Sequence, residues 1–321
     1  MVAVVRSGRG VHARPGLRAL ALAAAAVLLA VPAPARADGG NAAWSVQPSS
    51  RTGPGNRPFF TYDLAPGGTV TDYVAVTNLG TTPLTVHVYA SDAFTTATGG
   101  YDLLPAAQQP SDVGGWVRLG RQAVTVPARS RADIPFALTV PANATPGDHA
   151  GGIVAAVTST TADATGATTR LEQRVGSRVY LRVTGELRPG LRVDDLSAGW
   201  SPGWTPFTGE LTLRWTSRNT GNTRSAPEQS AEIEGLFGLP AGSVRLPAAP
   251  ELLPGAAVVR TARISGRPAL LRLSAAVTLT GADGTSARST VTVWAYSWYY
   301  LTALPLAIGA VLLVRRLRRR A

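Results

Sequence analysis

Residues Leu271 to Val293 read LRLSAAVTLTGADGTSARSTVTV, and they decide the fold class. Leu271, Leu273, Ala275, Val277 and Leu279 alternate with polar or small partners, the period of two that puts one set of side chains on a buried sheet face. Asp283-Gly284 supplies a turn of the type I′ kind favoured in hairpins, and Ala287 to Val293 returns as the next strand. The same period recurs upstream. Leu84, Val86, Val88 and Ala90 alternate with Thr85, His87 and Tyr89, and Ile134, Phe136, Leu138 and Val140 run until Pro141 stops them. Val70, Val74 and Val76 lead into the turn Asn78-Leu79-Gly80. Ile153 to Thr158 and Val179 to Val183 read as strands flanking a Thr/Ala/Gly-rich loop, Ser159 to Thr169. Leu191 to Leu196, Leu211-Leu213-Trp215, Ala231 to Gly235 and Val258 to Ile264 continue the series. No convincing amphipathic helix interrupts it. The pattern predicts an antiparallel sandwich or barrel and excludes a parallel α/β fold.

Length and charge sharpen this. At about 150 residues per domain, 321 residues suggest two domains. A faint repeat agrees: Val76-Thr77-Asn78-Leu79-Gly80 resembles Thr216-Ser217-Arg218-Asn219-Thr220-Gly221 in type. The net charge of +12 is concentrated at the ends. Of 31 basic residues, all Arg, five lie before Asp38 and five after Val314, leaving 21 against 19 carboxylates in between. The middle is thus near neutral, which argues against a nucleic-acid-binding domain. With no cysteine, disulfide scaffolds, thiolate zinc sites and cysteine nucleophiles are excluded.

Both ends read as addresses. Residues 1–37 have the form of a secretory signal: basic n-region, apolar Ala19 to Val31, and Ala35-Arg36-Ala37 as the small-x-small site ahead of Asp38. Residues 294–314 are expected to be a single transmembrane helix. Trp294, Trp298, Tyr299 and Tyr300 would form its outer aromatic belt, and Arg315, Arg316 and the rest of 315–321 a cytoplasmic tail. This expectation places the protein in the cell membrane, single-pass, with an extracellular ectodomain.

Chemistry is sparse between the ends. His87 falls on the polar phase of its strand, and Asp148-His149 lies in a Gly-rich turn, two adjacent residues that cannot complete a zinc site. No H-E-x-x-H or phosphate-loop pattern occurs, and no enzyme, cofactor or metal is expected. Glu232 and Glu234 share one strand face and read as solvated. Trp200-Ser201-Pro202-Gly203-Trp204 sets two indoles in a Pro/Gly turn, where they either cap the fold or offer rigid contact area. Trp116 and Trp215 read as core. The candidate binding residues are Trp200, Trp204, Tyr89 and His149.

Four segments together resemble a family. They are Leu64-Ala65-Pro66-Gly67 before Val76-Thr77-Asn78; Trp116 followed by Val124-Thr125-Val126-Pro127; Val140-Pro141 with Pro146-Gly147-Asp148-His149-Ala150-Gly151-Gly152-Ile153; and Gln173 to Leu181. With the two ends, their order resembles the WxL-interacting protein family of Gram-positive cell surfaces. The Arg-rich, Lys-free composition departs from that family and is of actinobacterial type. The resemblance implies two tandem Ig-like sandwiches, 38–186 and 187–293, the first binding peptidoglycan or a wall-associated partner. The alternative expectation is a chaperone-like or assembly factor that holds an exported protein by strand addition to a sheet edge.

Overall fold

The computed structural model describes residues 43–162, 168–205, 208–267 and 271–319. The signal-type segment, with Ala35, Ala37 and Asp38, lies outside them. Eighteen strands, among the described residues, form four sheets.

The first sheet contains β1 (Trp44–Ser50), β2 (Gly53–Pro54), β4 (Thr69–Asn78), β7 (Val117–Leu119) and β9 (Arg131–Thr139), in the order β2-β1-β4-β9-β7. The second contains β3 (Phe60–Leu64), β5 (Leu84–Thr95), β6 (Tyr101–Leu103), β10 (Gly147–Ala162) and β11 (Thr168–Val183), in the order β3-β11-β10-β5-β6. In it β8 (Ala123–Val126) also pairs with β5. Phe60, Ile134, Phe136, Leu138, Ile153 and Leu181 are buried between these two sheets. The predicted alternation is explicit on β5: Val86 and Val88 are buried while Thr85 and His87 are exposed. A short helix, α1 (Val113–Trp116), leads into β7.

The third sheet is β12 (Leu191–Pro202), β13 (Gly209–Asn219) and β16 (Ala257–Ser265). The fourth is β14 (Glu228–Glu234), β15 (Pro240–Arg245), β17 (Leu271–Thr280) and β18 (Ser286–Ala295), ordered β15-β14-β17-β18. Leu211, Leu213, Trp215, Ile233 and Leu273 form their shared core. The β17–β18 connection differs in detail from the two-residue turn expected. The register pairs Thr280 with Ser286, so five residues connect the strands, and Gly281 N–H donates to the Thr285 carbonyl at 2.8 Å. Gly284 takes φ +85°, the left-handed residue such a loop requires, and Asp283 accepts from Thr285 N–H at 3.0 Å.

The faint sequence repeat has a structural cause. Asn78 and Asn219 are both buried at the ends of their strands. The Asn78 amide donates to the Thr82 and Val126 carbonyls (2.8 and 3.0 Å) and accepts from Gly80 N–H (2.9 Å). The Asn219 amide donates to Thr223 and Leu252 (2.7 and 3.0 Å) and accepts from Gly221 N–H (3.0 Å). One side chain in each half thus closes a turn and ties it to the following crossover, satisfying backbone groups that burial would otherwise orphan.

The C-terminal region corrects the membrane expectation. Trp294 belongs to β18, opposite Arg272, and the helix α2 (Trp298–Arg318) begins after it. The apolar run Leu301 to Val314 is therefore all that is available to span. Fourteen residues at about 1.5 Å each reach about 21 Å, short of a hydrocarbon core of about 30 Å. Among the described residues no helix is long and apolar enough to cross a membrane. Single-pass placement in the cell membrane is overturned, and Trp294, expected inside the spanning helix with Trp298, Tyr299 and Tyr300 ahead of Arg315 and Arg316, lies in β18. Tyr299 instead donates its hydroxyl to the Trp204 carbonyl.

Candidate functional site

Two features stand out on the second sheet, and both involve β10 and β11. These strands pair antiparallel along their whole length, from Gly147 opposite Val183 to Ala162 opposite Thr168. They extend well into the segment expected as loop, because its Thr residues are good strand formers. On its other side β11 meets β3, in parallel, but only from Val179 to Val183. Among the described residues no strand covers β11 from Thr168 to Arg178 on that side. Every second residue there turns its N–H and C=O outward, the pattern that accepts an added strand. Val175 is half-buried against the core, in phase with buried Ser177 and Val179, and Leu171 on the same phase is 52% exposed. Glu172, Arg174 and Arg178 occupy the other face.

The opposite end of β10 and β11 forms a polar joint with the third and fourth sheets. Asp148 is its centre. Its carboxylate accepts from Arg182 Nε and Nη2 at 2.7 and 2.9 Å and from Arg224 N–H at 2.9 Å, while its own N–H donates to the Asn222 carbonyl at 2.7 Å. Burial raises the Asp148 pKa, but Arg182 and the Arg224 amide outweigh it and hold the carboxyl below its usual range. Asn222 donates its amide to the Pro146 and Glu186 carbonyls, both at 2.9 Å, and accepts from Arg188 N–H at 2.6 Å. Gly147 makes this approach possible. It has φ +126°, and a Cβ there would lie 2.3 Å from the Asn222 carbonyl oxygen. The Tyr180 hydroxyl donates to Glu251 at 2.7 Å, and the Arg224 guanidinium lies 4.0 Å from the Tyr180 ring centroid.

His149 stands beside Asp148 and faces a cleft of about 230 Å³. Its Nδ1 lies 2.7 Å from Asp112 Oδ1 and its Nε2 2.9 Å from the Thr145 carbonyl oxygen. Both partners are acceptors, so the ring satisfies both only when each nitrogen carries a proton. Burial lowers the His149 pKa, but Asp112 and the Thr145 carbonyl raise it further, for a net upward shift. The Trp116 ring sits 4.9 Å from the imidazole. With both nitrogens engaged, His149 has no free lone pair to act as a base. Asp112 is itself held by β5: the Asp92 carboxylate accepts from the N–H groups of Ser111, Asp112 and Gly114 at 2.6, 2.9 and 2.8 Å.

The four candidate residues from the sequence do not converge. Tyr89 is half-buried mid-sheet on β5, with Arg174 facing its hydroxyl. His149 is in the joint. Trp200 packs against the second core and donates its indole N–H to the Tyr296 carbonyl at 3.2 Å. Trp204 is 91% exposed in the turn after β12. Trp200 pairs with Leu211, and the joint begins at Asn219, eight residues along β13 and so about 26 Å away. Sequence reasoning missed Asp112, Arg182, Arg224 and Glu251. No local signal marks them, since the pairings join residues 34 to 76 positions apart. Among the described residues no group of three His, Cys, Asp or Glu side chains is placed to hold a metal.

No family model and no curated protein sequence matches the chain. Among solved structures it is similar to a chaperone–tip adhesin complex of CFA/I fimbriae biogenesis, at 10% identity over 78% of this chain and 98% of that one, TM-score 0.39. It is also similar to the class 5 fimbriae chaperone CfaA (12%, 77% and 98%, TM-score 0.37) and to the Pseudomonas aeruginosa CupB2 chaperone (12%, 75% and 99%, TM-score 0.30). Scores this low carry no function across. The resemblance to the WxL-interacting family is overturned: no family model and no curated protein sequence supports it. Its motifs have local causes. Leu64 to Gly67 forms a turn closed by Gly68 N–H to the Ala65 carbonyl, and Gly147 and Gly152 are sites of close packing.

Proposed function

We propose that this chain is a non-enzymatic, chaperone-like or assembly protein that holds an extended segment of another exported protein on the open edge of β11. The observation that carries this reading is the run Thr168–Arg178, which no strand among the described residues covers on its outer side and which β10 backs along its full length. An incoming strand gains main-chain hydrogen bonds there, and alternate side chains gain the apolar phase of Leu171 and Val175. The two sandwiches, taken as 38–186 and 187–293, act as one body in this reading, with the joint fixing the base of the β10–β11 hairpin.

Hydrogen exchange tests it. The protein is compared alone and with a panel of extended peptides of alternating apolar and polar residues, none of them helical. Protection confined to Thr168–Arg178, and lost when the peptide's alternate amides are N-methylated, supports the reading. No protection with any peptide, or protection that falls on other strands, counts against it.

A further inference from the structure

We propose that His149 is a proton-operated clamp on the joint between the two sandwiches. Charged, it ties the Ser111–Trp116 segment to Thr145–Asp148, the seat of the second sandwich's Asn222 turn. Neutral, it releases one of those ties. The inference does not rest on the strand-capture reading, because the joint and the open edge of β11 lie at opposite ends of the hairpin.

The geometry requires the charge. Asp112 and the Thr145 carbonyl accept and do not donate, and they face the two ring nitrogens at 2.7 and 2.9 Å. When the proton leaves for bulk water, one nitrogen presents a lone pair to an acceptor. If Nδ1 is bare it opposes the Asp112 carboxylate. If Nε2 is bare it opposes the Thr145 carbonyl. Either way one tie becomes a repulsion. Thr145 adjoins Pro146, whose carbonyl accepts from Asn222, and Asp148 N–H donates to the Asn222 carbonyl. Release at Thr145 therefore loosens the seat of the second sandwich.

The groups around the ring agree on sign. Asp112 faces it from the segment before α1, and Trp116 presents its ring from α1. Asp148 is its neighbour on β10, already neutralised by Arg182 of β11 and approached by Arg224 of the second sandwich. Asp92 on β5 is spent on backbone N–H groups of the Asp112 loop. The rest of the cleft wall is apolar or uncharged: Ala93, Ala150, Leu253 and Pro254. On its other side His149 lines a second cleft with Asp63, Arg182 and Arg224; the two guanidiniums there are engaged by Asp148 and Glu251, and the carboxylate in direct contact with the ring is Asp112.

Two measurements on the full chain decide it. The first is the NMR titration of the His149 imidazole Cε1–H signal. His149 is expected to titrate above the ordinary histidine value of about 6.5, and Asp112→Asn to bring it down to or below that value. The second is hydrogen exchange at about pH 5.5 and pH 8.5, corrected for intrinsic rates. Protection of residues 111–116, 145–148 and 219–224 is expected to fall by roughly tenfold across the His149 titration, and to be pH-independent in His149→Gln. The clamp is overturned if His149 titrates at or below the ordinary value of about 6.5, if corrected protection at the joint is the same at both pH values, or if His149→Gln keeps the full pH response. Should His149→Gln fail to fold, the wild-type exchange and the Asp112→Asn titration still decide.

Discussion

Asp148 meets a bidentate guanidinium and a backbone amide while its side chain is only 7% exposed. Removing its charge leaves Arg182 without its partner and the Arg224 amide with a weaker acceptor. Asp148→Asn is expected to cost about 2 kcal/mol at neutral pH, read as a drop in Tm or in the denaturation midpoint. Arg182 remains partly exposed, and solvent screening keeps the loss below that of a fully buried pair. The sign with pH follows from the depressed carboxyl. Its stabilisation is complete above the ordinary carboxylate range and disappears as pH falls through the depressed native value. Wild type and Asp148→Asn therefore converge in strong acid. His149 runs the other way. Its raised native pKa makes its contribution complete below about 6.5, and that contribution disappears as pH rises through the higher native value. A pH series of urea melts on wild type and His149→Gln checks both ends: the difference is largest near pH 5.5 and shrinks toward pH 8.5. The buried asparagines make a third residue-scale expectation. Asn78→Ala strands three carbonyls and one N–H, Asn219→Ala two carbonyls and one N–H, and each is expected to cost about 2–4 kcal/mol.

At the scale of elements, what packs on the outer face of the second sheet depends on missing side chains. Leu103 of β6 lies over Gly152 of β10 and Gly176 of β11; a Cβ at Gly152 would come within 2.5 Å of Leu103 Cδ1 and 2.9 Å of the Ser177 carbonyl oxygen. The leucine can move, but the carbonyl belongs to a paired strand. Gly152→Ala is expected to destabilise by about 1–3 kcal/mol, and Leu103→Ala in the same chain to recover part of that. A fully additive double mutant would show that the clash with Ser177 dominates. The long strands were legible because Val86, Val88, Phe136, Leu138, Leu273 and Val277 keep a strict period of two, which burial on one face enforces. Strands as short as β2, β6 and β7 carry no period to read, and long-range pairing alone creates them. The aromatic run before α2 misled for a related reason. Trp294 sits in a strand, and the one mark between the end of β18 and the helix is Ser297 at the N-cap, a single residue inside the aromatic run. Of the candidate site, Asp148-His149 was visible as a polar pair in a Gly-rich turn. Its partners Asp112, Arg182 and Arg224 were not, since only the hairpin register and the crossing of the second sandwich bring them there.

For the whole molecule the question is whether the joint makes two sandwiches unfold together. Each has its own apolar core, so each could melt alone if the connection between them were weak. The contacts at Asp148, Asn222, Tyr180 and Arg224 are polar, and they are directional: they bind the base of the β10–β11 hairpin to the turn after β13 through main-chain and side-chain bonds at once. Asn222 is the residue on which most of them pass, yet it is remote from both cores, so its loss tests coupling without disturbing either. Wild type is expected to melt in one calorimetric transition with equal van't Hoff and calorimetric enthalpies. Asn222→Ala is expected to separate it into two, with near-ultraviolet signals from Trp116 and Trp215 moving apart in temperature. Two transitions in the wild type would mean that the joint only orients the sandwiches. A single, merely shifted transition in the variant would assign the coupling to Tyr180, Arg224 and Glu251 rather than to the Asn222 turn, and Glu251→Gln would then be the substitution that divides it.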